Sequence, residues 1–284
     1  MDPARWRGTL QNFVPIGRNA VDIPSLHSRF LGDVLPRIQQ DARASGVAVA
    51  GSIAGGNPDI YSDVDLIVVI DDEAFDSVMK ERLTLISSWA ALVAGFTGEH
   101  VGEPRLIITL VGPPLLHVDF KFVKASDFAK RVEDPDILWD RDGGLADSLA
   151  EHPPETSSFD FQWIEDRFWI WVHYGATKLG RGELFEVIGF LNYLREVVLG
   201  PLAALRAGAT PRGVRHLETI APDEARDLRT TLCGDDPQSA GQALLAAVEL
   251  YRRWLDDTGA TIERRHHAEK LAVQYLHDVI DQRS

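Results

Sequence analysis

Apolar residues in the first half of this chain recur at two different spacings. Across 25–44, Leu26, Phe30, Val34 and Ile38 return every four residues, which predicts a helix with a kink at Pro36. Residues 47–50 and 66–70 are short continuous apolar runs, predicted as strands, with a small-residue turn and a polar loop between them. Helical spacing resumes over 73–96 through Val78, Leu83, Ile86, Trp89 and Val93. Two further strands are predicted near 105–111 and 115–123, joined as a hairpin through Gly112, Pro113 and Pro114. In the second, Val118, Phe120 and Phe122 share one face, while His117, Asp119 and Lys121 share the other.

The stretch 133–158 is rich in Asp, Gly and Pro and reads as a linker, with 137–142 as an extended arm against the first half. From Phe159 onward the pattern is helical, with predicted spans 160–179, 182–206, 222–232, 236–257 and 263–281. Leu244, Val248, Tyr251 and Leu255 mark the inner face of one of them. The expected fold class is therefore α+β. Residues 1–150 form a domain with a small mixed sheet flanked by helices, and residues 151–284 form a helical bundle. The seven tryptophans, four of them between Trp139 and Trp171, are expected to fill a core between the two halves.

Composition changes this picture little. Of 284 residues, 45% are hydrophobic and 25% charged, as in an ordinary soluble globular protein. No apolar run approaches a membrane span, and the N-terminus lacks the charged-then-apolar order of an export signal, so no membrane association is expected. Cys233 is the sole cysteine, which rules out an intramolecular disulfide and a cysteine-built zinc site and fits a cytoplasmic setting. The formal net charge of −14 argues against nonspecific nucleic-acid binding, which needs basic surface. Focused in a cleft, the same charge would favour cationic ligands.

The chemistry concentrates in VAVAGSIAGGNPDIYSDVDLIVVID, residues 47–71. Asp63 and Asp65, one residue apart at the start of a strand, point to the same face. Two adjacent carboxylates resist joint ionisation unless a cation lies between them, and hard oxygen ligands suit Mg²⁺ shared with substrate phosphates. Upstream, Gly51 allows a tight turn and Ser52 supplies a hydroxyl near a phosphate. Asp119 offers a third carboxylate from a neighbouring strand. Its structural alternative is an ion pair with Lys121 on an open sheet face. His117 stands beside it, as a hydrogen-bonded sheet histidine or as a group supporting the carboxylate.

Gly51, Ser52, Gly56, Ser62, Asp63, Asp65 and Leu66 together resemble the nucleotidyltransferase superfamily of polymerase-beta type, including its antibiotic (aminoglycoside and lincosamide) nucleotidyltransferases. The chain departs from the minimal members at Gly55, where they carry a basic residue. The resemblance implies a polymerase-beta-like N-terminal domain and two Mg²⁺ ions on Asp63, Asp65 and Asp119. ATP would be held by Gly51, Ser52 and Ser62, with AMP passing to a hydroxyl of a small acceptor, cationic acceptors included, and pyrophosphate released. It also implies a helical lysine against the triphosphate, which falls on Lys178, four residues after Tyr174 on the same helix face. Where antibiotic-modifying relatives carry a general-base glutamate, this chain has Tyr174. Asp119, Glu103 and Glu183 are the remaining candidates for that role, Asp119 first. AMP transfer to a protein or RNA, and nucleotide binding without catalysis, are the competing readings. A homodimer is compatible with the sequence. His266 and His267 lie in a charged run and read as a solvated helix face.

Overall fold

The computed structural model describes residues 22–155 and 159–283. Trp6 and the N-terminal segment read for an export signal lie outside them. The chain divides into two compact units, Met1–Thr156 and Ser157–Ser284.

The first unit runs α1 (Ser25–Ile38), β1 (Ala44–Val49), α2 (Gly51–Ala54), β2 (Val64–Ile70), α3 (Phe75–Trp89), β3 (Leu92–Gly98), β4 (Glu103–Val111), β5 (Leu116–Lys124), β6 (Asp136–Asp140) and α4 (Leu145–Glu151). The strands form one mixed sheet in the order β3-β4-β5-β2-β1-β6. Only β2 and β5 pair in parallel, with Asp65 opposite Asp119. One face packs against helices. Leu31, Val34 and Ile38 of α1 and Val78, Ile86 and Trp89 of α3 bury Leu66, Val68, Phe120 and Phe122, and Trp89 stacks on Phe122 at 6.1 Å. Each such side chain contributes roughly 1.5–3 kcal/mol on burial. On the opposite face, Ala48, Val69 and Val123 lie with Phe128 and Leu145 at one end.

Several expectations are corrected here. The first helix ends at Ile38, and Pro36 sits inside it. Its buried stripe is His27, Leu31, Val34, Leu35 and Ile38. The helix expected over 73–96 stops at Trp89, and Val93 and Phe96 belong to strand β3. Val93 continues the four-residue spacing, but Gly95 is unfavourable in a helix. In the strand it allows close packing, since an added Cβ would meet Leu83 and Thr109 at 3.2 Å. The extended arm is a paired strand, β6 against β1, followed by α4, so this part of the expected linker is structured. The Gly-Ser turn is the single helical turn α2.

The second unit is helical: α5 (Phe161–Gly180), α6 (Leu184–Leu194), a π-helical turn (Arg195–Leu199), α7 (Gly200–Arg206), α8 (Leu217–Ile220), α9 (Pro222–Leu228), α10 (Pro237–Asp257) and α11 (His266–Arg283). Asp160 and Asp236 cap α5 and α10, accepting from the Trp163 and Ser239 amides. The continuous stretch Leu184–Arg206 is long and apolar enough to cross a membrane, contrary to the sequence reading. Its Val187, Leu191, Leu194, Val198 and Leu202 are nevertheless buried in the core of this unit. The tryptophans also depart from expectation. Trp89 lies in the first core, and Trp169 and Trp254 in the second. One buried carboxylate, Glu165, ties the bundle together by accepting from Trp169 Nε1 (3.0 Å), the Tyr251 hydroxyl (2.6 Å) and the Arg265 amide (2.7 Å).

Candidate metal and nucleotide site

The face of the sheet turned away from the α1 and α3 core carries the acidic residues. Alternation along β2 puts Val64, Leu66 and Val68 into the helix-packed core, so Asp65 faces the other way with Asp63 beside it. On β5, Val118, Phe120 and Phe122 go into the same core and Asp119 faces out. Parallel register then sets Asp119 against Asp65. Ligand oxygens of Asp63, Asp65 and Asp119 all lie within 4.8 Å of one another.

Gly51 explains how the turn after β1 fits this cluster. The Ala50 amide donates to the Asp65 carbonyl (2.9 Å), which ties the turn to β2. Gly51 then adopts φ +60°, and a Cβ there would fall 1.9 Å from Asp65 Oδ2. A side chain there would force the Asp65 carboxylate to move and would have to adopt a left-handed backbone that favours glycine. The next side chain, Ser52, has its hydroxyl oxygen buried with no hydrogen-bond partner among the described residues, an unusual state for a polar atom. Ser62 is engaged within its own loop: its hydroxyl donates to Asp59 (3.2 Å) and accepts from the Asp59 amide (2.9 Å). His27, buried on α1, lies 2.6 Å from the Ser62 carbonyl and, donating through Nε2, holds the residue preceding Asp63. The sequence reading missed His27. Its spacing from Leu31, Val34 and Ile38 was the available signal.

Electrostatics single out Asp119. Its side chain is 19% exposed and lies 3.0 Å from His117 Nε2. Burial raises its pKa above the usual aspartate range; His117 opposes that shift and Asp63 adds to it. The alternative pairing with Lys121 does not form, because Lys121 bonds Glu103 at 3.0 Å. Glu103 also holds Arg105 (2.7 Å), and that contact is the chief cause of its pKa falling to about 2. An ion-paired carboxylate of this kind is a poor proton acceptor.

The donor set fits Mg²⁺: three hard carboxylate oxygen sources converge, and a buried hydroxyl with no partner among the described residues lies on the adjoining turn. Lys178, in the second unit, bonds Glu183 at 2.6 Å, lies 4.0 Å from Glu186 and sits 5.3 Å from the Tyr174 ring. Glu183 is the main cause of the raised Lys178 pKa. Arg181 approaches Glu183 at 3.7 Å, and Tyr174 donates to Glu186 at 3.0 Å.

No family model and no curated protein matches this chain. Solved structures are similar to it, two of them as follows. An aminoglycoside 6-adenyltransferase from Bacillus subtilis aligns over 88% of this chain and 97% of its own, at 13% identity and a TM-score of 0.39. A nucleotidyltransferase-like protein from Exiguobacterium sibiricum 255-15 aligns over 79% and 74% respectively, at 14% identity and a TM-score of 0.33.

Proposed function

We propose that this chain is a nucleotidyltransferase that moves AMP from ATP to a hydroxyl of a small molecule. In the reaction the acceptor oxygen bonds the α-phosphorus, the α–β phosphoanhydride bond breaks, and pyrophosphate leaves. The observation that carries the reading is the convergence of Asp63, Asp65 and Asp119 beside a glycine with no room for a side chain.

Asp63, Asp65 and Asp119 would hold Mg²⁺, which when bound neutralises charge on the phosphates. The chain's own groups do the rest. Gly51 lets the backbone approach the phosphates, and the Ser52 hydroxyl gives them a donor with no partner among the described residues. Asp119 takes the acceptor proton as the oxygen attacks. His117 orients it from 3.0 Å. Glu103 and Glu183 are already paired with cations, which leaves Asp119 as the base. Aminoglycoside and lincosamide antibiotics are the acceptor classes the sequence resemblance suggests, in a cytoplasmic enzyme without a nucleic-acid substrate.

Isothermal titration with a non-hydrolysable ATP analogue tests the reading. Mg²⁺-dependent binding by the wild type, lost in Asp63→Asn and Asp65→Asn, is the expected result. Binding that ignores Mg²⁺ or survives both substitutions would overturn it.

A further inference from the structure

The acidic cluster borders a surface of different character. Following the register outward from Asp119, its partner on β4 is Ile108, and the partner of Ile108 on β3 is Phe96. The next row runs from His117 to Leu110 to Ala94. Ala94, Phe96, Ile108 and Leu110 therefore share the face that bears Asp119 and form a floor without a charged side chain. Phe96 is 55% exposed and Leu110 40% exposed. Large apolar side chains left open beside a polar site mark a contact surface. The Phe96 ring is steadied by His100, with centroids 5.5 Å apart. At the flank, Glu103 pairs with both Arg105 and Lys121.

Direction follows from the transfer chemistry. Attacking and leaving oxygens lie roughly in line across the phosphorus. Gly51 and Ser52, which the proposed function assigns to the phosphates, adjoin Asp65 on the β1 side of the cluster. Asp119 lies on the β4 side. The acceptor hydroxyl therefore enters over β5, and the rest of the acceptor extends over β4 and β3. Strands are spaced about 4.8 Å apart, so Phe96 stands about 10 Å from Asp119, one sugar ring away from the reacting oxygen.

We infer that this floor is the acceptor subsite and that the acceptor presents a flat apolar or aromatic face to Phe96, Ile108 and Leu110. The inference rests on the proposed nucleotidyl transfer and narrows its acceptor. A polycationic amino sugar would set its ammonium groups over hydrocarbon, with no carboxylate on the floor to receive them. An aromatic glycoside or similar alcohol would place its hydroxyl at Asp119 and its ring on Phe96.

The test uses the full chain loaded with Mg²⁺ and a non-hydrolysable ATP analogue. Phenyl β-D-glucoside is titrated calorimetrically into wild type, Phe96→Ala and Leu110→Ser, with methyl β-D-glucoside and kanamycin as comparison ligands. Phenyl glucoside is expected to bind the wild type most tightly and to lose about tenfold in either variant, with nucleotide affinity unchanged within twofold. Absence of phenyl glucoside binding by the loaded wild type, equal binding by Phe96→Ala, or tighter binding of kanamycin would each overturn the acceptor inference alone. A dimer that dissociates on Phe96→Ala would overturn it too, by assigning the face to a second copy. Failure of the wild type to bind the nucleotide analogue would instead remove the proposed function. Both substituted side chains are exposed, and matching melting curves would confirm that the variants fold.

Discussion

Replacing Gly51 by alanine places a methyl group where the structure has none to spare. The added carbon would lie 1.9 Å from Asp65 Oδ2 and 3.0 Å from Asp65 Cγ. Reaching ordinary contact requires the carboxylate to retreat by more than about 1 Å, since real Cβ contacts stay beyond about 3 Å. Alanine at φ +60° adds a backbone cost of about 1–2 kcal/mol. The stability loss should therefore be modest, a fall in Tm of a few degrees. The effect on chemistry should be larger, because a displacement near 1 Å in a reacting constellation costs about a hundredfold in rate. Differential scanning fluorimetry with and without Mg²⁺ and the ATP analogue, paired with a pyrophosphate-release assay, separates the two effects. Gly51→Ala that retains ligand-induced stabilisation and activity within threefold of wild type would refute the assigned contact between turn and carboxylate.

Other substitutions bear on separate parts of the argument. Asp119→Asn should stabilise the metal-free protein at pH 7, because the folded state holds this carboxyl above its ordinary pKa of 3.8 and so favours the neutral form. That gain is present at pH values above the folded pKa and disappears as pH falls below 3.8, where both side chains are neutral; urea midpoints at pH 7 and pH 3 would show the difference or its absence. Tyr251→Phe removes a donor from the buried Glu165 and should cost about 1–3 kcal/mol in urea unfolding while leaving nucleotide binding intact. Lys178→Met should reduce kcat/KM for ATP by less than about tenfold if the ammonium stays with Glu183. A hundredfold loss with a raised KM would mean that the lysine leaves Glu183 for the nucleotide.

The cluster was legible in sequence because its parts are local or alternate simply: Gly51, Ser52, Asp63 and Asp65 fall within one short stretch, and Asp119 stands on the polar side of a clean strand pattern. What lay beyond reach depends on tertiary placement. Nothing in a glycine's neighbours reveals that Asp65 leaves no space for a Cβ at position 51. Strand β3 was hidden because Val93 extends the helical spacing of α3, and with β3 unseen the row from Phe96 to Asp119 could not be drawn. Strand β6 was hidden in an Asp- and Pro-rich stretch, since five residues carry too little periodicity to stand out. In the second unit, apolar spacing runs on through Arg195–Leu199, so the π-helical turn left no mark in the pattern.

The parallel pairing of β2 with β5 has a kinetic consequence. Asp65 and Asp119 become neighbours only after α3, β3 and β4 have been looped out between them. Contacts across such sequence separations form late, since the chain must first lose the entropy of closing the loop. A nascent or truncated chain that ends before β5 would possess the Gly-Ser turn and two carboxylates yet lack the third. The ability to hold a divalent cation tightly would thus arise with completion of the sheet. During refolding, its appearance would time the slow step of the first unit rather than its early collapse.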